Sequence, residues 1–278
     1  MSADPTRTST LRAEYAQRLR GVLAAINAEI RRALVDRDEF ALQAARDPDP
    51  LTLPPFTSDD AKIEEFQRWL RDQERRGVLE VIQRDENTYV RSAYARGFKD
   101  ANANLRAQGV DVPEADLQAA FNRPIHAEQL QTLFTRNFNE WEGVTEAMNQ
   151  QVSRELTDGL AQGQNPRTIG RNIADRVEKV GKKRATDLAR SEVVRSHANA
   201  TLNRYEELGV KEVAGEAEFS SADDRRVCSI CRSLDGNTYL IDDARGIIPQ
   251  HPRCRCTFVP VISSTQQQTL SASIPIPS

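Results

Sequence analysis

All four cysteines of this 278-residue chain lie together with a histidine near its carboxyl-terminal end. They form a CxxC motif and an HPxCxC motif, whose members are Cys228, Cys231, His251, Cys254 and Cys256. Thiolate and imidazole groups are the usual ligands of tetrahedral zinc sites, and such a site needs four of them. The cluster therefore predicts that a bound metal ion holds this part of the fold, with one donor more than a closed site requires.

The spacing of the donors suits one shared centre. In a tight turn, Cys228 and Cys231 are able to direct both sulfurs at one ion. Cys254 and Cys256 are separated by one residue, and side chains at i and i+2 of an extended strand lie on the same face. His251 either completes the site or lies beside it. We expect four of the five donors to bind the ion, and the sequence leaves open which four.

Two other interpretations of the cysteines stay open, namely two disulfides or free buried thiols. Disulfides need an oxidising compartment, and the polar, arginine-rich residues 1–25 are not a secretory signal. A thiolate-rich tetrahedral site favours zinc, with iron as the alternative. Because four thiolates, or three thiolates and an imidazole, leave no obvious position for water, we expect a structural rather than a catalytic zinc ion.

Composition and periodicity predict a mainly α-helical fold, in which an extended N-terminal helical region precedes a small α+β module held by a zinc site. Only 6% of the residues are aromatic, 28% are charged and the formal net charge is -3. A chain so rich in Ala, Arg, Glu and Gln favours helices with a modest core. No apolar run reaches the roughly 18 residues needed to span a membrane, so we expect no membrane-spanning segment and synthesis in the cytoplasm.

Apolar periodicity, prolines and glycines divide the chain into five predicted segments. These are an N-terminal helix over 1–46, a proline-rich linker over 47–57, a helical region over 58–160, the module over 161–261 and a tail over 262–278. We expect one long helix from about 78 to about 107. In the module, Asn165 and Pro166 predict a helix start, Gly181 its end, and Gly209 the end of the next helix. The tail carries no charge, so we expect it to be flexible or to dock on a partner as an extended strand.

A run of three basic residues precedes the cysteine motifs. Lys182, Lys183 and Arg184 are candidate phosphate-binding residues, because clustered basic side chains follow the backbone of a nucleic acid. The alternative is a solvated helix face. We favour the solvated face because no aromatic residues that could stack on bases are interleaved with the basic ones.

Further motifs surround the cysteines in a characteristic order. Ala189-Arg190-Ser191-Glu192 lies in a predicted long helix, Asp224 precedes the first cysteine, and Leu234-Asp235-Gly236 follows the CxxC motif. Over about residues 150–261 this order resembles the head morphogenesis, or minor capsid, family of tailed phages, similar to phage Mu protein F and to the minor head protein of phage SPP1. In that family the first motif reads Ala-Arg-Thr-Glu, so Ser191 is a departure that keeps the hydroxyl.

The resemblance makes Arg190, Glu192 and Asp224 structural motif residues. Burial of a carboxylate is costly unless it has a partner, so Glu192 is expected either to be buried and paired, with Arg190 or Arg195, or to be exposed. Both alternatives stay open at this point.

The resemblance also implies a structural virion component of low copy number, inside the head near the portal vertex and in the host cytoplasm during assembly. Its partners would be the portal protein, major capsid or scaffold proteins and the packaged DNA. Its role would be head assembly, and genome packaging or delivery as well. We expect no enzymatic activity. The alternative is a metal-dependent nuclease or DNA-binding protein, in which His251, Glu192 and Asp223 or Asp224 act at a bound ion.

Overall fold

The structure is a computed structural model that describes residues 4–37, 40, 59–81, 87–114 and 116–274. Its α-helices are α1 Ser9–Arg31, α2 Asp59–Val81, α3 Thr88–Ala107, α4 Leu117–Phe121, α5 Pro124–Ala161, α6 Pro166–Glu207, α7 Ser229–Leu234 and α8 Ser264–Ser273, and a short π-helix, Arg32–Asp36, follows α1. Its strands are β1 Glu216–Ser220, β2 Thr238–Leu240 and β3 Thr257–Val261. The prediction of a mainly helical fold is confirmed. No helix in the described residues combines the length and the apolar character needed to cross a membrane.

The chain forms two compact units, each assembled from separate stretches of sequence. Unit 1 consists of Met1–Tyr15, Arg84–Asn137 and Asp187–Ser278, and unit 2 consists of Ala16–Gln83 and Phe138–Thr186. Both units therefore combine parts of several predicted segments, because helices α1, α5 and α6 contribute residues to each of them. The predicted linker over 47–57 lies outside the described residues.

Unit 1 contains a three-stranded antiparallel sheet in the order β2-β1-β3. Phe219 of β1 lies opposite Phe258 of β3, and both side chains are fully buried. Glu216 and Glu218 are only half-buried, as expected when successive side chains of a strand point to opposite faces. The core of unit 1 includes, besides residues of the sheet and of α6, Cys231, Cys254 and Cys256. The cysteine motifs are thus part of the hydrophobic core.

Helices α3 and α6 of unit 1 approach each other closely at Gly97. A Cβ atom on Gly97 would lie 2.2 Å from the carbonyl oxygen of His197. The Oγ1 of Thr201 donates to the carbonyl oxygens of both residues, at 3.3 Å to Gly97 and 3.0 Å to His197. Glycine is therefore required at this contact because any larger residue would force the two helices apart.

Unit 2 is helical, and it corrects the prediction that a helix ends at Gly181. Helix α6 starts after Asn165, which caps the N–H of Arg167 as predicted, but it continues through Gly181. A Cβ atom on Gly181 would lie 2.9 Å from the Cδ1 of Leu23. This glycine therefore allows close packing and does not end the helix, whereas Gly209, with a φ of +84°, follows the end of α6 as predicted.

The predicted long helix from 78 to 107 is wrong, because the structure has two helices there. Helix α2 ends at Val81, and α3 begins at Thr88. The side chain of Asn87 accepts hydrogen bonds from the N–H groups of Tyr89 and Val90. An asparagine that caps a helix in this way starts a new helix, and this capping signal was missed in the sequence.

The carboxyl-terminal segment also differs from the expected flexible or partner-docked tail. Ser263 and Gln266 form a capping box that starts helix α8. Leu270 of this helix is buried in the core of unit 1, and the Nε2 of Gln266 donates to the carbonyl oxygen of Val213 at 2.7 Å. An uncharged segment thus needs no core of its own when it packs on the core of the same unit. Residues 275–278 lie outside the described part.

Candidate metal centre

The CxxC motif forms a compact turn at the start of helix α7. Cys228 is the N-cap of this helix, and its sulfur accepts a hydrogen bond from the N–H of Cys231 at 3.3 Å. This hydrogen bond fixes the direction of the Cys228 sulfur relative to Cys231. The local turn therefore prepares the first pair of donors.

His251 brings the second motif to the first. Its Nε2 lies 3.2 Å from the sulfur of Cys228 and 3.2 Å from the sulfur of Cys231. Its Nδ1 lies 2.7 Å from the carbonyl oxygen of Pro252, and because a carbonyl only accepts, Nδ1 carries the proton. Nε2 is then the ring nitrogen that faces the two sulfurs, which is the position it would take in a histidine that binds a metal ion through this atom.

Cys254 and Cys256 complete the cluster from the buried side. The ligand atoms of Cys231, Cys254 and Cys256 lie within 4.8 Å of one another, and so do those of Cys228, Cys231 and His251. Cys231 belongs to both groups, so the five donors form one continuous cluster. The sulfurs of Cys231 and Cys254 are 3.9 Å apart, close to the roughly 3.8 Å between two sulfurs on a tetrahedral zinc ion. The donor set fits such an ion.

All four cysteines are free, so the structure does not contain the two disulfides that the sequence left open as an alternative. A sulfur–sulfur distance of 3.9 Å is far longer than the roughly 2 Å of a disulfide bond. The grouping of the four thiols with His251 supports the metal hypothesis over isolated buried thiols.

The thiols differ in their affinity for protons. A hydrogen bond from Cys256, together with the backbone N–H groups of Cys256 and Gln250, lowers the pKa of Cys254 from 9.0 to about 5 against the opposing effect of burial. The hydrogen bond to Cys254 and burial raise the pKa of Cys256, and burial raises the pKa of Cys231 to about 12. A bound cation would displace these protons, so metal affinity should increase with pH.

Asp224, one of the predicted motif residues, ties the two halves of the cluster together. Its carboxylate accepts hydrogen bonds from Arg255 at 2.7 and 2.6 Å, and from Arg226 at 3.2 and 3.0 Å. The hydrogen bonds from Arg255 in particular lower the pKa of Asp224. Asp224 therefore orients Arg255, which stands between the last two cysteines, and is not itself among the grouped metal donors.

The other two motif residues lie on helix α6. Glu192 is buried, and its Oε1 lies 3.2 Å from the Nε of Arg195 and 3.6 Å from the Nε of Arg136. The structure thus has the buried and paired form of Glu192, with Arg195 as one of the two expected partners. Arg190 is half-buried on the same helix.

The residues of the nuclease alternative are not brought together. Among the described residues, the groups of three or more close metal donors consist of the four cysteines and His251 and include no carboxylate. Glu192 and Asp224 are both engaged by arginines. The basic residues Lys182, Lys183 and Arg184 are exposed in unit 2, where Lys182 pairs with Glu178 one helical turn away.

One buried polar network was missed in the sequence. His126 is fully buried, its Nδ1 lies 2.9 Å from the hydroxyl of Tyr94, and its Nε2 lies 2.9 Å from the carboxylate of Glu207. Although burial opposes it, hydrogen bonds from His126, Arg204 and Arg123 lower the pKa of Glu207 from 4.5 to about 2. Tyr94, His126 and Glu207 come from α3, α5 and α6, so no local pattern could have predicted their contact. The network stabilises unit 1, and none of its residues is among the five candidate metal ligands.

One segment of the chain is similar to a known family. The family model described as "Phage Mu protein F like protein" matches residues 150–259. The predicted resemblance is therefore confirmed for this segment, which contains the motif residues and all five donors.

A protein of Haemophilus influenzae (strain ATCC 51907 / DSM 11121 / KW20 / Rd), described as "Uncharacterized protein", is 25% identical over 206 residues. The match covers 68% of this chain and 43% of the relative, so this chain spans less than half of the relative's length. No solved structure matches the chain significantly.

Proposed function

We propose that this protein is a structural component of a tailed-phage head, a minor capsid or head morphogenesis protein that acts in head assembly. The observation that carries the proposal is the match of residues 150–259 to the phage Mu protein F like family, combined with the grouping of the cysteines and the histidine of the motifs in one candidate metal centre. Three of these cysteines are also part of the core of unit 1.

The metal ion would have a structural role. A bound zinc ion supplies a cross-link between distant parts of the chain. Cys228 and Cys231 would hold it from the start of α7, while His251 and the two remaining cysteines would hold it from the segment before β3. Since small modules gain folding free energy of about 10 kcal/mol or more from such ions, the ion would stabilise the sheet and α7 in one arrangement.

The same geometry supports a non-enzymatic role. Four of the five donors would fill the positions of a tetrahedral ion and would leave none for a water nucleophile. The carboxylates that a nuclease would need, Glu192 and Asp224, are held by arginines. We therefore rank a metal-dependent nuclease as the second candidate function. It is tested by an assay of DNA cleavage, and cleavage by the wild type that is lost in a folded His251→Ala variant would favour it.

The partners and location extend the proposal. We propose that the chain resides inside the head near the portal vertex, binds the portal protein and major capsid or scaffold proteins, and passes through the host cytoplasm during assembly. The exposed basic residues of α6, Lys182, Lys183 and Arg184, are the candidate contact with packaged DNA, during genome packaging or delivery. Salt-dependent binding to duplex DNA, weakened by neutralising these three residues, tests that contact.

The deciding experiment uses particles of the phage that encodes the chain. A tagged copy should sediment with heads in a few copies per particle, and a deletion should yield heads that are malformed or lack DNA. A chain that stays with the soluble fraction, together with normally filled heads from the deletion, would refute the proposed role. Cys231→Ser in the tagged copy links the role to the metal centre, because it alters the one donor shared by both groups.

A further inference from the structure

The first two metal donors occupy the ends of one tight turn. Cys228 and Cys231 are three residues apart, and the sulfur of Cys228 accepts a hydrogen bond from the N–H of Cys231 at 3.3 Å. The carbonyl oxygen of Cys228 accepts another from the N–H of Arg232 at 3.0 Å. A turn of this kind directs the side chains at its first and fourth positions to one side, which is how a CxxC pair reaches a single ion.

A second turn repeats this arrangement at the next motif. The N–H of Cys254 donates to the carbonyl oxygen of His251 at 3.1 Å, so His251 and Cys254 hold the first and fourth positions. Pro252 suits the second position of a type II turn, and Arg253, with a φ of +71°, has the left-handed conformation that the third position requires. The second motif thus presents two donors in the same way as the first.

The left-handed conformation of Arg253 shows that the second turn is firmly held. This conformation favours glycine, so an arginine keeps it only where contacts with the surrounding structure support it. The Nε of Arg253 donates to the Oδ1 of Asp187, on helix α6, at 2.8 Å. The turn that carries His251 and Cys254 is therefore fixed to α6 by a contact of its own.

The two turns face each other. The Nε2 of His251 lies 3.2 Å from the sulfurs of both Cys228 and Cys231, and the sulfur of Cys254 lies 3.9 Å from that of Cys231. Each donor of the second turn therefore contacts the first pair. A closed structural zinc site of three cysteines and one histidine needs these four residues and no other.

Cys256 competes with Cys254 for the fourth position. The distances between donor atoms treat these two cysteines alike, because both belong to the group that contains Cys231, and neither belongs to the group that contains Cys228 and His251. One of the two sulfurs therefore has to move towards His251 when an ion binds. The position of the backbone decides which one does so.

The sheet holds the backbone of Cys256. This residue directly precedes β3, whose first residue, Thr257, pairs with Ser220 of β1. A movement of Cys256 would disturb that pairing. Cys254 lies two residues further from β3, at the end of the turn that also carries His251. Its sulfur is therefore able to close on an ion without moving a strand.

We propose that the ion is bound by Cys228, Cys231, His251 and Cys254, the end residues of two facing turns, and that Cys256 is not a ligand. Of the two cysteines that follow His251, only Cys254 then binds the ion, while Cys256 remains a buried free thiol beside it. This inference rests on the metal centre proposed above and deepens it, because it assigns the four ligands that the sequence left open.

The first test identifies the ligands in the unaltered chain. With an NMR-active cadmium isotope in place of zinc, scalar coupling is detected between the metal and the β-protons of each cysteine that binds it. We expect coupling to Cys228, Cys231 and Cys254 and none to Cys256. Coupling to Cys256 and not to Cys254 would overturn the proposal, and so would coupling to all four cysteines.

The second test compares Cys254→Ser with its matched control, Cys256→Ser, in the cobalt-loaded protein. The charge-transfer band from sulfur to cobalt grows with the number of thiolate ligands. Cys254→Ser should lose about a third of the band, because two thiolates remain of three, and should bind zinc at least about tenfold more weakly. Cys256→Ser should keep the band of the wild type and bind zinc within about threefold of it, because serine keeps a hydrogen-bond donor beside the ligands.

A wrong ligand assignment and a wrong metal centre give different results. If the band falls in Cys256→Ser and not in Cys254→Ser, or if it persists in both, the assignment is refuted and the metal centre stands. If the wild type binds neither zinc, cobalt nor cadmium, the metal centre falls and the assignment with it. Should Cys256→Ser fail to fold, the cadmium coupling of the unaltered chain decides between the two cysteines.

Discussion

Asp224 and Arg255 are joined by two hydrogen bonds, of 2.7 and 2.6 Å, across a sequence separation of 31 residues. A bidentate pair of this kind fixes both the position and the plane of the guanidinium. Since Arg255 stands between Cys254 and Cys256, the pair connects the turn before the first two cysteines with the segment that carries the last two. The ion pair therefore sets the geometry of the candidate metal centre from outside it.

Asp224→Asn should weaken metal binding by about tenfold or more, because an amide cannot hold two arginines by charge and Arg255 would lose its orientation. Competition with a chelator measures the change. Asp243→Asn is the matched control, since Asp243 is an exposed aspartate of the same unit. Equal affinities in the two variants would show that the pair does not support the centre.

Gly97→Ala should destabilise the protein by about 1–3 kcal/mol, because the new Cβ would lie 2.2 Å from the carbonyl oxygen of His197. The same change at Gly143 of α5 meets no atom within 4 Å and should stabilise by up to about 1 kcal/mol. Denaturant unfolding of the two variants measures both effects. We expect the free energy of unfolding to fall in Gly97→Ala and to rise in Gly143→Ala. An unchanged value in Gly97→Ala would mean that α3 and α6 are less tightly packed than described.

Glu74→Gln should stabilise the protein at alkaline pH and have little effect in acid. Glu74 is buried and accepts a hydrogen bond from Asn149, yet burial raises its pKa from 4.5 to about 8. The unfolded chain therefore releases this proton at lower pH than the folded protein does, and stability falls as pH rises from 4.5 to about 8.

The glutamine variant has no carboxyl group to titrate and does not lose stability in this way. Its free energy of unfolding should therefore exceed that of the wild type by an amount that grows to about 2–4 kcal/mol across that interval. Denaturant unfolding at pH 4.5 and at pH 8 measures it. Glu64→Gln, an exposed position on the same helix, should follow the wild type at both values. A difference in the free energy of unfolding between Glu74→Gln and the wild type that is the same at both pH values would contradict the raised pKa of Glu74.

Local patterns predicted the features that depend on neighbouring residues. The five donors were identified because the CxxC and HPxCxC spacings each build half a site within a few residues. The start of α6 was predicted for the same reason, since Asn165 caps the N–H of Arg167, two positions further on.

Contacts between distant stretches were not predictable. Gly181 was interpreted as a helix end because the sequence does not reveal that Leu23 packs against it. The tail was expected to be flexible because its packing through Leu270 depends on a core built by residues far from it in sequence.

The metal content of the purified full-length chain tests the central claim most directly. Native mass spectrometry, combined with melting curves before and after chelation, should find one zinc ion per wild-type chain and a lower melting temperature once the ion is removed. Cys231→Ser, which alters the donor common to both groups, should bind no ion and melt like the chelated wild type. A wild-type chain that carries no metal, and whose melting neither zinc nor chelator changes, would contradict the account.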